Sequence, residues 1–380
     1  MKTLREEYAS FLRPGRILLT GHSHQAWPDA AREAMSQAFD EAAEFVDDKW
    51  EHAVFPLIER VGRRVLERLG FDAGDAIVFG KSTHELGYRL LTSFGPTPRV
   101  LTTTGEFYSL TRQLQRLEEA GAPVRWVEKA PVESLAERLI AAIDSCALDL
   151  VCVSSVFFED AALLPDLDGV LEAARARGVP VLVDAYHAFG AMELTWPAAR
   201  ENLFVVAGGY KYAQFGEGVC FMRIPKGCEL RPVYTGWFAD FGVLHSGSDA
   251  RVGYGPDGLR FAGATFDPIG FYRARAVLDV FDRHGLTPAR LREISVAQTE
   301  LIVSLLDAAG VPVLSPRDPS RRGGFVTAHV KSAGDVVKAL RGRGVVADAR
   351  GEGLRFGPAP YLEDREIREG VAIAVALIGA

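Results

Sequence analysis

Hydrophobic positions along the first two thirds of the chain follow two alternating rhythms. Ala30–Val46 and Phe55–Leu69 place apolar residues three and four apart, the spacing of an amphipathic helix. Ala76–Phe79 is a short apolar run, and a helical pattern over Leu86–Phe94 follows it. Arg99–Thr102 and Val124–Val127 read as strands on either side of a helix at Leu110–Ala120. Leu148–Ser154 is almost wholly apolar, as a strand covered on both faces should be. A helix at Leu167–Arg177 leads to strands at Val179–Val183, Leu203–Ala207 and Gly218–Arg223. Repeated strand–helix units with apolar strands predict an α/β protein whose mainly parallel sheet lies between helices.

The rhythm changes after Arg231–Gly258, a glycine-rich section expected to be loop. Pro268–Phe281 and Pro288–Ala309 are long helical patterns. Strands at Gly324–His329, Val345–Asp348 and Gly353–Phe356 then interleave with helices at Ala333–Gly342 and Arg365–Ile378, which predicts a smaller α+β domain. A chain of 380 residues suits two such units. The expected division is a large domain over 41–265 and a small one over 266–380, with the boundary near Thr265–Ile269. Residues 1–40 are expected to pack with the small domain.

Composition narrows the function. The chain is 48% apolar and 24% charged, with a net charge of −7 and both signs mixed, which argues against a nucleic-acid surface. Met1–Arg13 has no apolar core of a signal peptide, and no apolar run reaches the length of a membrane span; a cytoplasmic protein is expected. Cys146, Cys152, Cys220 and Cys228 form no C-x-x-C pair, and His22-Ser23-His24 lacks carboxylate or cysteine partners, so no metal is expected. Gly253–Gly258 spells G-x-G-x-x-G. It follows no apolar strand and holds a proline in the turn, so it lacks the context of a dinucleotide site.

The chemistry points elsewhere. Gly208-Gly209-Tyr210-Lys211-Tyr212 closes an apolar run, and a lysine among glycines and aromatics suits an amine held against an aldehyde. Lys211 therefore reads as the Schiff-base lysine of a pyridoxal phosphate (PLP) enzyme. Asp184 ends the preceding apolar strand, where a carboxylate would meet a pyridine nitrogen; a turn or helix-capping aspartate is the plain alternative. His187, three residues on, would stack on the ring or bond its substituents. Ser82 and Thr83 lie between a strand and a helix, which suits a phosphate at a helix N-terminus and suits ordinary capping equally. Phe107 is a candidate for stacking on the ring or for the core. Arg355 alternates with apolar residues in a short strand; its guanidinium would fork a substrate carboxylate or pair with a carboxylate of the chain.

At these residues the chain resembles the class V aminotransferase group of fold-type I PLP enzymes, and kynureninase most of all. The resembling blocks are Gly21-His22-Ser23, Ser82-Thr83, Phe107, Ser154, Asp184-Ala185-Tyr186-His187, Tyr210-Lys211-Tyr212, Gly236-Trp237-Phe238, Phe261–Thr265, Arg321-Arg322-Gly323 and Val346–Pro358. The resemblance implies a sheet of the seven-stranded type and PLP bound by Ser82, Thr83, Phe107, Ser154, Asp184, His187, Tyr210 and Lys211. It implies that Lys211, Asp184 and His187 act in catalysis, and that Arg355 and Ser23 bind an amino-acid substrate. It also implies a homodimer with shared active sites, in which Trp237 and Thr265 reach the phosphate of the neighbouring subunit. The chain departs from kynureninase at Leu110 and Phe266, where the family has Asp and Asn, and shows no histidine near Glu44–Asp48. Kynureninase-like hydrolytic Cβ–Cγ cleavage leads. Class V transamination or β-elimination on another amino acid comes next, and a non-catalytic binding protein on the same fold ranks last. A cysteine desulfurase ranks low, because no cysteine lies beyond Cys228.

Overall fold

The computed structural model describes residues 2–196, 200–241 and 252–379. Residues 242–251 of the expected loop section lie outside them. In chain order the elements are β1 (Ile17–Leu18), α1 (Ala30–Phe45), α2 (Phe55–Arg68), β2 (Ala76–Gly80), α3 (Thr83–Leu91), β3 (Val100–Thr103), α4 (Tyr108–Glu119), β4 (Val124–Val127), α5 (Leu135–Ser145), β5 (Leu150–Ser154), α6 (Leu167–Ala176), β6 (Val181–Asp184), β7 (Leu203–Gly208) and β8 (Cys220–Ile224). There follow α7 (Ile269–Arg283), α8 (Pro288–Ala308), β9 (Val326–His329), α9 (Ala333–Gly342), β10 (Val345–Val346), β11 (Asp348–Arg350), β12 (Gly353–Phe356) and α10 (Asp364–Ile378).

Seven strands form the main sheet in the order β2-β8-β7-β6-β5-β3-β4. β8 runs antiparallel to both neighbours, and the other contacts are parallel. The sheet is therefore mainly parallel, as the alternating pattern predicts. Alternate residues of each strand feed opposite layers. Val151 and Val153 of β5 join a core with Val61, Leu139, Val170 and Val277 from α2, α5, α6 and α7. Leu150 and Cys152 face Leu86, Leu90 and Leu114 from α3 and α4. Burial on both faces explains why these strands are apolar without alternation.

The second unit is a three-stranded antiparallel sheet, β11-β12-β9, with α8, α9 and α10. Its core takes Tyr8, Leu12, Ile17, Leu19 and Ala26 from the N-terminal segment, and β1 pairs in parallel with β10. α1 lies against α7 instead, and Ala34 and Ala38 enter the large core. The division expected near residues 265–269 falls just before α7, whose Phe271, Val277 and Phe281 also belong to the large core.

Three details differ from the sequence pattern. The run read as one strand over Val345–Asp348 is two strands in two sheets, split at Ala347, because Val345–Val346 pairs with β1 and Asp348–Arg350 with β12. The helix expected from Leu86 starts at Thr83, since its first turn is polar and carries no apolar mark. The helix α5 and the short strand β1 have no counterpart in the expected order.

Candidate active site

All strands of the parallel set end at one edge of the main sheet, the edge at which α/β proteins bind ligands. β2 delivers Ser82 and Thr83 there, β3 delivers Glu106 and Phe107, β5 Ser154, β6 Asp184, and β7 leads to Tyr210 and Lys211. Two glycines make the last turn possible. A Cβ on Gly208 would lie 2.4 Å from the Tyr186 ring, and one on Gly209 would lie 2.8 Å from the Gly216 carbonyl oxygen. Only glycine lets the backbone approach so closely.

One cavity of about 230 Å³ gathers Ser82, Thr83, Phe107, Ser154, Asp184, His187, Tyr210 and Lys211. These are all eight residues expected to touch the cofactor from within the chain. The remaining four candidates, Ser23, Trp237, Thr265 and Arg355, do not line it. Trp237 is 44% exposed and donates its indole N–H to Thr265 Oγ1 at 3.2 Å. The Ser23 hydroxyl lies 3.4 Å from His24 Nδ1.

Inside the cavity, Lys211 Nζ sits 2.6 Å from His187 Nε2, 4.5 Å from the Tyr186 ring centre and 5.4 Å from that of Phe107. Burial lowers the amine from 10.5 to about 7; Arg355 and Arg350 push the same way, while Asp184 and Asp348 oppose. Burial also holds His187 well below the ordinary imidazole range, with the Lys211 charge adding to it. His187 Nδ1 is buried and has no partner among the described residues. Asp184 Oδ1 accepts the Tyr186 backbone N–H at 2.8 Å, and burial raises its carboxyl above the usual range despite that bond and the Lys211 charge. The Ser82 hydroxyl caps α3 by accepting the Glu85 N–H at 3.1 Å.

Arg355 is already paired. Its Nε and Nη2 donate to Asp348 at 2.8 and 2.5 Å, and its Nη1 donates to the Phe158 carbonyl at 2.6 Å. His22 Nε2 lies 2.8 Å from Asp348 Oδ1, so a guanidinium and an imidazole converge on one carboxylate. These partners hold Asp348 well below the usual carboxylate range against the cost of burial. Phe266, at a position of departure from kynureninase, meets the rings of Trp50, Phe238 and Phe271.

Sequence reasoning missed Glu106. It is 3% exposed and accepts from Thr103 Oγ1 at 2.7 Å, Ser154 Oγ at 2.6 Å and Ser154 N at 3.2 Å. The available signal was a glutamate directly before Phe107, at the end of an apolar strand. Asp348, likewise missed as a functional residue, sat in plain view seven residues before Arg355.

Residues 291–374 match the family described as kynureninase C-terminal domain. A kynureninase of Bacillus cereus is 26% identical over 98% of this chain and 90% of its own length. One from Pseudomonas fluorescens is 27% identical over 97% and 90%. Among solved structures, a C-DES variant with glycine covalently linked to its PLP cofactor superposes with a TM-score of 0.82 at 18% identity, covering 98% of both chains. The apo cysteine desulfurase of Thermococcus onnurineus superposes at 0.77 and 18% identity, over 96% of this chain and 95% of its own. The fold is that of the fold-type I PLP-dependent enzymes. Sequence similarity to kynureninases runs nearly the whole chain. Among the described residues no helix is long and apolar enough to cross a membrane, and no cluster of three or more His, Cys, Asp or Glu is placed to hold a metal.

Proposed function

We propose that the protein is a PLP-dependent enzyme acting on an amino acid, with hydrolytic Cβ–Cγ cleavage of kynurenine or a related amino acid as its leading reaction. One observation carries the reading: Lys211 is a buried amine lowered to about 7, in the same cavity as Asp184. An amine is a nucleophile only when neutral, and an ordinary lysine is almost fully charged near pH 7. The residues fit the cofactor, since amine, carboxylate, ring faces and helix-terminal hydroxyls surround one cavity too small for a dinucleotide. When bound, PLP supplies an aldehyde for amines and a ring that takes up the electron pair left at a substrate Cα.

The roles of the chain's residues follow from position. Lys211 would hold the aldehyde and, once displaced by an amino group, take the Cα proton. Asp184 would accept the pyridine N–H, and the cation would draw its raised carboxyl back to the ionised form. Phe107 and His187 would cover the ring faces, while Ser82, Thr83 and Tyr210 would hold the phosphate. Arg355 would take the substrate carboxylate with the guanidinium hydrogens that Asp348 and Phe158 leave free, and Ser23 would support it. Trp237 and Thr265 bond to each other at the surface, outside the cavity of their own Lys211. That supports a homodimer in which they serve a second copy. A cytoplasmic location is part of the same proposal.

A second reading is β-elimination on a smaller amino acid. Phe266 supports it, because it packs among Trp50 and Phe238 where kynureninase has an asparagine and so offers no polar contact to a kynurenine ring. Protein loaded with PLP, given a panel of L-amino acids with kynurenines included, separates the readings by product. Alanine marks hydrolytic cleavage, pyruvate marks β-elimination and the substrate's own keto acid marks transamination. The wild type is expected to show a visible cofactor band that Lys211→Ala loses; a wild type that takes up no PLP sinks the whole reading.

A further inference from the structure

Two hydroxyl groups fix how Glu106 is bonded. Thr103 Oγ1 accepts the Gly105 N–H at 3.2 Å, so its own hydrogen is turned to Glu106 Oε1. Ser154 N donates to the same oxygen, and Ser154 Oγ meets Oε2 at 2.6 Å. Ser154 lines the Lys211 cavity, whereas Glu106 does not. The carboxyl therefore reaches the cavity through one hydroxyl. A hydroxyl has a single hydrogen and must spend it in one direction. With Glu106 ionised, the Ser154 hydrogen points to Oε2 and only lone pairs face the cavity. With Glu106 neutral and its proton on Oε2, the carboxyl donates to Ser154 Oγ, and the serine hydrogen turns to the cavity.

We propose that Glu106 is a positioning residue that sets the hydrogen-bond polarity of Ser154 at the cavity wall, acceptor when Glu106 is ionised and donor when it is neutral. This rests on the PLP reading for its ligand, a ring substituent that exchanges a proton with Ser154. The exchange balances: as Ser154 takes the Glu106 proton it releases its own to the ligand, and the reverse restores both.

The groups around Glu106 place the switch near neutral pH. Burial raises its carboxyl from 4.5 to about 7; Asp184 on β6 adds to the rise, and the Ser154 and Thr103 donors oppose it. Ser154 and Asp184 are register partners on adjacent strands. On β5 the Cys152 thiol is pushed far up, by burial first and by Glu106 second, and stays neutral. Lys129 passes beside Gly105, but its Nζ is bonded to Asp160 at 2.7 Å.

The test uses the PLP-loaded protein and its absorption spectrum from about pH 5 to 9. The wild type is expected to show an inflection of the cofactor band near neutral pH that is lost in Glu106→Gln and in Ser154→Ala, with the band itself kept in Glu106→Gln, whose side chain lies outside the cavity. A wild-type inflection that survives unchanged in both variants overturns the proposal. Infrared titration of the cofactor-free protein reads the same switch without loading. A neutral carboxyl band should fade as pH rises through about 7, vanish in Glu106→Gln and shift in Ser154→Ala. Absence of that band from the wild type throughout the range also overturns the proposal. Failure of the wild type to bind PLP, with the infrared behaviour as expected, counts against the cofactor and leaves the Glu106–Ser154 switch standing.

Discussion

The lowered amine of Lys211 predicts how the protein captures an aldehyde as pH changes. An ordinary lysine at 10.5 is neutral in about one molecule in 3,000 at pH 7. At about 7, half of the Lys211 amines are neutral. The cavity thus raises the concentration of nucleophile at pH 7 about 1,500-fold over a surface lysine. The experiment mixes cofactor-free protein with excess PLP, traps the covalent bond with borohydride at timed intervals, and repeats this from about pH 5.5 to 9.5. The rate should rise about tenfold per pH unit below 7 and flatten above it. Arg350→Gln gives the cause a second handle, since the Arg350 cation is one of the charges holding the amine down. Its removal should move the bend to higher pH. A rate that climbs without a bend through pH 9, as for an exposed lysine, would refute the assignment of burial as the activating force.

Two further outcomes follow from the same geometry. Asp348→Asn removes the charge facing Arg355 and His22, and should cost about 2–4 kcal/mol in urea unfolding, toward the low end because Asp348 keeps 19% of its side chain exposed. It should also weaken amino-acid binding, because an amide offers one acceptor oxygen and Arg355 loses one of the two bonds to residue 348 that fix its plane; unaltered stability would mean the triad carries no net energy. Glu106 predicts a pH dependence of folding. Its carboxyl binds a proton more tightly in the folded chain than in the unfolded one, so its contribution is complete below about 4.5 and is lost as pH rises through about 7. The difference in stability between wild type and Glu106→Gln should therefore fall across that window, by about 3 kcal/mol at most, in cofactor-free protein followed by urea unfolding. Subtraction matters, since His22, lowered by burial to about 4, changes in the opposite sense between about 6.5 and 4 in both proteins.

What the sequence made legible was whatever repeats along the chain or cannot be placed cheaply elsewhere. β5 and β6 announce themselves because every residue between two helical layers must be apolar, and Asp184 stands out because it ends such a run. Lys211 stands out for the same reason, and Gly208 and Gly209 mark where the backbone must pass within contact of Tyr186 and Gly216. What stayed hidden depends on pairing across the fold. Val345–Asp348 looks continuous, yet its halves serve two sheets because β1 arrives from residues 17–18 to claim the first. Arg355 reads equally as a guanidinium for a substrate or for a carboxylate of the chain, and the carboxylate it pairs with emerges only when β11 and β12 set Asp348 directly opposite it, a register no local pattern declares. Glu106 looks like one of many glutamates until the parallel register of β3, β5 and β6 folds Thr103, Ser154 and Asp184 around it. For Arg355 and Glu106 the decisive partner is a polar group on a neighbouring strand, and its worth comes from exclusion of water, which is set by the assembled layers and by no single segment. The chemistry of this cavity is therefore a property of the sheet edge as a whole: the strands bring the carboxylates and the amine to one rim, and burial there sets their charges.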